Sequence, residues 1–180
     1  AVGMMRAGAK ESSYTQLAEA LKQVPGDNWQ LLVAGDGPRR ETISQTLEAA
    51  APDRVTFLGA LESDELAEIY AASDMLVWPA VDEAFGIALL EAQAAGLPVI
   101  ASKQRGVPDI VASGVTGRLP PPDNTAAFAK AVQSLIEDPE TRARMGAAAA
   151  RRVREQYDVP VAAERLDATL KTVAMVVRST

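Results

Sequence analysis

Short apolar runs alternate with longer stretches of helical period along the first two-thirds of the chain. Val2–Met5 is the first run, and Leu17, Ala18, Leu21 and Val24 then recur at helical spacing. Trp29–Ala34 reads as a buried strand ended by Gly35-Asp36-Gly37-Pro38. Val55–Leu58 is a strand stopped by Gly59, Met75–Trp78 one stopped by Pro79, and Leu97–Ala101 the next. Gly117–Leu119 is a short strand before three prolines. Helical pattern fills the intervals at Ile43, Leu47 and Ala50, at Asp64–Ala72 behind Ser63 as N-cap, at Phe85–Ala95 closed by Gly96, and at Val107–Val111. From Asn124 onward the pattern is wholly helical, with Asn124 as a cap, Pro139 in a first turn, and a third helix from about Val161 to Val177.

Strands alternating with helices predict an α/β domain, a Rossmann-like parallel sheet of about six strands with helices on both faces, followed by a helical C-terminal tail. Ligands of such sheets bind at the C-terminal ends of the strands. The loops expected there are 6–10, 35–38, 59–61, 79–85 and 102–107. The chain reads as one domain over 1–180. It opens inside an apparent strand, and its last helix carries an apolar stripe (Leu166, Leu170, Val173, Val177), so the expectation is half of a larger protein.

Composition narrows the chemistry. Hydrophobic residues make up 48% and charged residues 23%, which fits a folded globular domain rather than a disordered one. Cysteine and histidine are both absent, so thiolate zinc sites, cysteine nucleophiles and Ser-His-Asp catalysis are excluded. A formal net charge of −6 argues against a duplex-binding surface, and nucleic acid is not an expected partner. No apolar run reaches the ~18 residues of a membrane span. The expected compartment is the cytosol, with a peripheral position at the membrane left open for a longer protein.

The informative stretch is Asp82–Gly96. The helix predicted from Phe85 is apolar nearly all round, so it should be buried, and Glu91 within it is the anomaly. Glu83 precedes the helix, ~12 Å from Glu91 if the interval were fully helical. Between them lie the free N–H groups of a helix start at Gly86, Ile87 and Ala88, which attract phosphate. Gly86 lets a ligand approach the backbone. Carboxylate, anion site and carboxylate in a line fit a sugar–diphosphate–ribose. They fit equally a loop charge followed by a structural acid paired with an internal Arg or Lys. Trp78 and Phe85 flank this loop, with core packing the expected use of both rings. Met4 and Met5 read as strand core, Lys103 and Arg105 as solvated loop, and Arg142, Arg144, Arg151, Arg152 and Arg154 as a polar helix face.

Glu83 and Glu91, with seven residues between them and followed by Ala92-Gln93-Ala94-Ala95-Gly96-Leu97-Pro98-Val99-Ile100-Ala101, resemble the E-x7-E motif of retaining glycosyltransferases of the GT-B fold, glycosyltransferase family 4 (group 1). Gly35-Asp36-Gly37-Pro38, Val55–Gly59, Gly106–Val111 and Gly114–Leu119 resemble further segments of that family, in the same order. The resemblance spans most of residues 1–158. It implies the C-terminal half of the fold, which binds a nucleotide-sugar donor (a UDP-sugar, for example), with the N-terminal acceptor domain absent from this chain and the acceptor unknown.

The resemblance also implies roles. Glu91 would accept hydrogen bonds from the ribose and Glu83 would contact the donor sugar. Phe85, Gly86 and Ile87 would present backbone near sugar and phosphate. Gly59 and Leu61 would line the base pocket, with Gly35 nearby. Arg6 and Lys10 would neutralise the leaving diphosphate, although the family's Gly-Arg pair is Gly3-Met4 here and the cation spacing is one residue shorter. Transfer would retain anomeric configuration, with no metal, no cofactor and no protein nucleophile. A non-catalytic nucleotide-binding regulatory module and a nucleotide-sugar epimerase-like enzyme are the alternatives, the latter disfavoured by the lack of histidine.

Overall fold

The computed structural model describes residues 1–178, apart from the side chains of Arg165 and of residues 173–178. Val173 and Val177, expected on the apolar stripe of the last helix, therefore have side chains outside the described residues. The elements are α1 (Ala9–Leu21), β1 (Leu31–Ala34), α2 (Arg40–Ala50), β2 (Val55–Gly59), α3 (Ser63–Ala72), β3 (Leu76–Trp78), α4 (Ile87–Ala94), β4 (Val99–Ala101), α5 (Val107–Ile110), β5 (Gly117–Arg118), α6 (Thr125–Ile136), α7 (Pro139–Gln156) and α8 (Val159–Arg178).

All strand pairs are parallel. They form two sheets, β1-β2 and β3-β4-β5, rather than one sheet of about six strands. The expected first strand survives as a segment beside β1. Val2 bridges Ala34, Gly3 N–H donates to Ala34 O at 3.0 Å, and Met5 N–H donates to Asp36 O at 2.9 Å. Side chains hold its position. Tyr14 Oη donates to Gly3 O at 2.7 Å, and a Cβ at Gly3 would stand 3.0 Å from the Trp78 ring. Met5 is fully buried as expected, whereas Met4 is 60% exposed, because alternate residues of an extended segment face opposite ways.

Burial follows from the sequence pattern. The strands β3 and β4 are buried at every position, as befits a parallel sheet covered on both faces. The helix α1 lays Tyr14, Leu17, Ala18 and Leu21 against α2, α6 and β3. On the other flank α4 packs against α7 and β4. Tyr14 and Trp78 meet edge to face, ring centroids 4.9 Å apart, at the centre of the core.

Helix ends follow local chemistry. Asn124 caps α6 by accepting from Ala127 N–H at 2.9 Å, and Asp138 caps α7 by accepting from Thr141 N–H at 2.9 Å. Pro139 occupies the first turn of α7. Replacing Asn124 with alanine is expected to lower unfolding free energy by about 1 kcal/mol, read as a shifted urea midpoint with unchanged slope. The cap of α3 is Glu62 rather than Ser63, because Glu65 reaches back to accept the Glu62 N–H at 2.8 Å. Two of the tail arginines do more than face water. Arg142 donates to Leu135 O at 2.7 Å and pairs with Asp74, and Arg152 donates to Asp109 O at 3.0 Å.

Candidate functional site: a cleft at the strand ends

A cavity of about 610 Å³ opens where the N-terminal segment, β1, β2 and β3 end. Gly3, Met4, Arg6 and Lys10 line one side, and Gly35 and Asp36 the floor. Ala60, Leu61 and Leu66 form an apolar corner beyond β2, while Glu83–Leu89 supply the opposite wall. A second cavity of about 410 Å³ lies at the other end of the strands, around Leu31 and Met75, away from these groups.

The floor requires glycine. Gly35 has φ 137°, and a Cβ there would overlap Gly3 O and stand 2.9 Å from the Gly3 carbonyl carbon. Gly37, at φ 151°, meets the Met5 carbonyl in the same way. The Gly-Asp-Gly turn thus passes against the N-terminal segment backbone to backbone, and Gly35 N–H donates to Gly59 O at 2.7 Å. Gly59 itself sits behind the wall, with Ala60 and Leu61 facing the cavity.

The wall that carries the acids is built on an unusual backbone. Ala80 (φ 56°) and Asp82 (φ 55°) both adopt the left-handed region, as does Gly86 (φ 84°). Each such non-glycine residue costs about 1–3 kcal/mol and persists only where its surroundings hold it. Gly86 ends the loop and starts α4 at Ile87, two residues later than the sequence pattern predicts. Among the described residues, the amides of Gly86, Ile87 and Ala88 have no acceptor within the chain, so the helix start presents N–H groups at the cavity wall. Gly106 backs this loop, since a Cβ there would overlap Ala84 O.

Glu83 and Lys10 meet across the cavity at 2.6 Å, with side chains 19% and 22% exposed. The Lys10 ammonium also lies 5.5 Å from the centre of the Trp78 ring. Trp78 is buried in the core as expected, yet its edge reaches the cavity. Arg6 lines the same cavity and is exposed.

Glu91 is a correction. The apolar run predicts a buried acid, but Glu91 is exposed, as are Phe85 (49%) and Ile87 (64%). The helix buries only the Leu89, Ala92 and Gln93 side, and its other face borders open space. Glu91 shares the open face with Ile87, one turn further along α4, at the margin of the cavity rather than in its lining. Its Oε2 accepts from Tyr70 Oη at 3.2 Å, and among the described residues no Arg or Lys pairs with it. Burial, and then the Glu91 charge, raise the Tyr70 hydroxyl well above its ordinary value, so Tyr70 remains a donor to the carboxylate. The alternative of a structural acid neutralised by an internal cation is therefore not what the structure shows.

The cleft gathers Arg6, Lys10, Glu83, Phe85, Gly86, Ile87, Leu61 and Gly35, leaving Gly59 and Glu91 at its edge. Sequence reasoning missed Asp36 and Met4 in the lining and Tyr70 beside Glu91. It also missed Ser13 and Gln104, which hold the loop carrying Glu83. Tyr70 lies within the helix expected over Asp64–Ala72 with nothing to single it out, and nothing local marks Ser13 or Gln104. Among the described residues, no group of three or more acids is gathered as a metal-binding cluster, and no helix is long and apolar enough to cross a membrane.

Known proteins share this arrangement of strands and loops. The chain is 35% identical over 135 residues to D-inositol 3-phosphate glycosyltransferase of Corynebacterium efficiens, covering 72% of this chain and 32% of that protein. It is 35% identical over 151 residues to the sulfoquinovosyl transferase SQD2 of Arabidopsis thaliana, covering 82% of this chain and 28% of that one. The chain thus spans about a third of the length of these two relatives. Among solved structures, Anabaena Alr3699/HepE in complex with UDP-glucose superposes with a TM-score of 0.80 at 26% identity, over 95% of this chain and 48% of that one. Residues 2–152 match the family model described as glycosyl transferases group 1, a span holding the whole cleft and both acids, and the chain belongs to that family.

Proposed function

We propose that this cleft binds the nucleotide-sugar donor of a retaining GT-B glycosyltransferase of family 4, the chain being the C-terminal, donor-binding half. One observation carries the reading: the free amides at the start of α4, Arg6 and the Lys10–Glu83 pair converge on one cavity that also has an apolar corner. The corner at Ala60, Leu61 and Leu66 takes the base. The diphosphate rests on the α4 amides, where Arg6 and Lys10 neutralise the charge that builds as it leaves. Glu83 meets the donor sugar, and Glu91, held by Tyr70, accepts from the ribose hydroxyls.

With protein groups supplying this neutralisation, the site needs no resident metal or cofactor. The leaving phosphate takes the acceptor's proton on the same face, which retains the anomeric configuration in a hexosyl transfer. An N-terminal domain of the full-length protein binds the acceptor, so this chain alone binds donor but does not transfer. The reading places its site of action in the cytoplasm, where nucleotide sugars are expected. Membership of the group 1 family does not favour the regulatory-module or epimerase alternatives.

Calorimetric titration with UDP, GDP and ADP tests the site. One of the three is expected to bind the wild-type chain, with affinity falling about 10-fold or more in Glu91→Ala, as loss of a charge-assisted hydrogen bond implies. Equal binding by the two proteins removes Glu91 from the site.

A further inference from the structure

The loop that delivers Glu83 is held in shape by two side chains from outside it. Gln104, just past β4, reaches across to residues 79–82. Its Nε2 donates to Ala80 O at 2.9 Å and to Pro79 O at 3.3 Å, while its Oε1 accepts from Asp82 N–H at 3.5 Å. Ser13 on α1, fully buried, accepts the Val81 N–H on its Oγ at 2.9 Å and donates its own proton to Ala9 O at 2.9 Å. Glu83 N–H in turn donates to Ala80 O at 3.1 Å, and Arg105 pairs with Asp82.

These bonds sit where the backbone needs them. Ala80 and Asp82 are both left-handed without being glycine, a conformation an unbraced loop relaxes out of. Gln104 grips the polar groups of both residues, and Ser13 grips the residue between them. Relaxation would swing the Glu83 carboxylate away from Lys10. The same helix that supplies Ser13 also supplies Lys10, one turn earlier, so α1 fixes both the loop and the partner of its acid.

We infer that Gln104 and Ser13 are positioning residues for Glu83, setting how the site holds the sugar of the donor while leaving its nucleotide contacts untouched. This rests on the reading above that Glu83 meets the sugar. The geometry separates the two functions. Neither side chain lines the cavity, and the base corner and the α4 amides are built from other residues.

The test compares dissociation constants of UDP and UDP-glucose for the wild-type chain and for Gln104→Met, Ser13→Ala and Glu83→Gln. Methionine keeps the volume of glutamine and makes none of its hydrogen bonds. The ratio of the UDP-glucose constant to the UDP constant is expected to rise about fivefold or more in Gln104→Met and Ser13→Ala, the size of one lost hydrogen bond, and to a similar extent in Glu83→Gln. UDP itself should bind the variants at least as tightly as wild type, an outcome that general destabilisation would not give. Hydrogen exchange of residues 80–83 should accelerate in both positioning variants.

A ratio unchanged in Glu83→Gln overturns the reading of Glu83 and the inference with it; where GDP or ADP binds in place of UDP, the same ratio is read with that nucleotide and its glucose conjugate, and binding of none of the three overturns the donor-site reading and the inference together. A ratio that rises in Glu83→Gln but stays at the wild-type value in Gln104→Met overturns the positioning role alone. If Gln104→Met does not fold, Ser13→Ala decides the same question from the α1 side.

Discussion

On the donor-site reading proposed above, Glu83→Gln is expected to lower transfer by the full-length protein about 10²-fold or more while the variant binds free nucleoside diphosphate more tightly. The two effects have opposite sign because Glu83 engages two partners. In the structure its carboxylate is 2.6 Å from the Lys10 ammonium, and both side chains are mostly covered. A diphosphate that takes Lys10 must first compete with that carboxylate. Glutamine keeps the shape and cancels the charge, so the ammonium becomes available. A partly covered pair of this kind is worth about 1 kcal/mol, which is a tightening of about fivefold for the nucleotide product. Transfer should nevertheless drop by about 10²-fold or more, the usual cost of removing a charged group aimed at the reacting sugar. Calorimetry with UDP alone, beside a radiolabelled transfer assay, measures both. Weaker nucleotide binding would show that Lys10 does not change partners.

Gly35→Ala should be the most damaging of the conservative changes in the cleft. Two costs add. The new Cβ would overlap Gly3 O, a backbone atom that cannot rotate away, and φ at 137° is strained for any L side chain. Overpacking against backbone and backbone strain together predict a loss of about 3–5 kcal/mol, a large share of the stability of a domain this size. Gly8→Ala is the control. Gly8 is also left-handed at φ 85°, but a Cβ there meets nothing within 4 Å. With ψ at −138° this is backbone that glycine adopts most readily, and the cost should be only the backbone term, about 1–3 kcal/mol. Urea unfolding of both variants separates crowding from conformation. Equal midpoints would mean that the Gly3–Gly35 contact yields easily.

What could be read from the sequence was what local chemistry decides. Gly96 ends a helix through its left-handed backbone and Asn124 begins one through its side-chain oxygen, and the positions where strands stop were visible from Gly35, Gly59 and Pro79. Those stops put the cleft-forming loops at the right places. The acids at 83 and 91 stood out because charge in an apolar stretch is costly unless it is solvated or partnered. What could not be read was which side of α4 meets protein. Phe85, Ile87 and Glu91 face outward, and an almost wholly apolar helix carries no periodic signal of that choice. Gln104 and Ser13 were invisible for another reason: their partners lie 24 and 68 residues away in the chain, beyond the reach of any local pattern.

The Lys10–Glu83 contact also governs how the cleft looks from afar. A lone ammonium projects an attraction that falls off slowly, whereas an ammonium joined to a carboxylate is overall neutral and its field fades within a few ångströms of the rim. This chain carries a formal net charge of −6, so a polyanion in bulk solvent is mildly repelled until it is already at the mouth. On the proposed reading, capture of a donor is thus a matter of fit at close quarters rather than of long-range electrostatic steering.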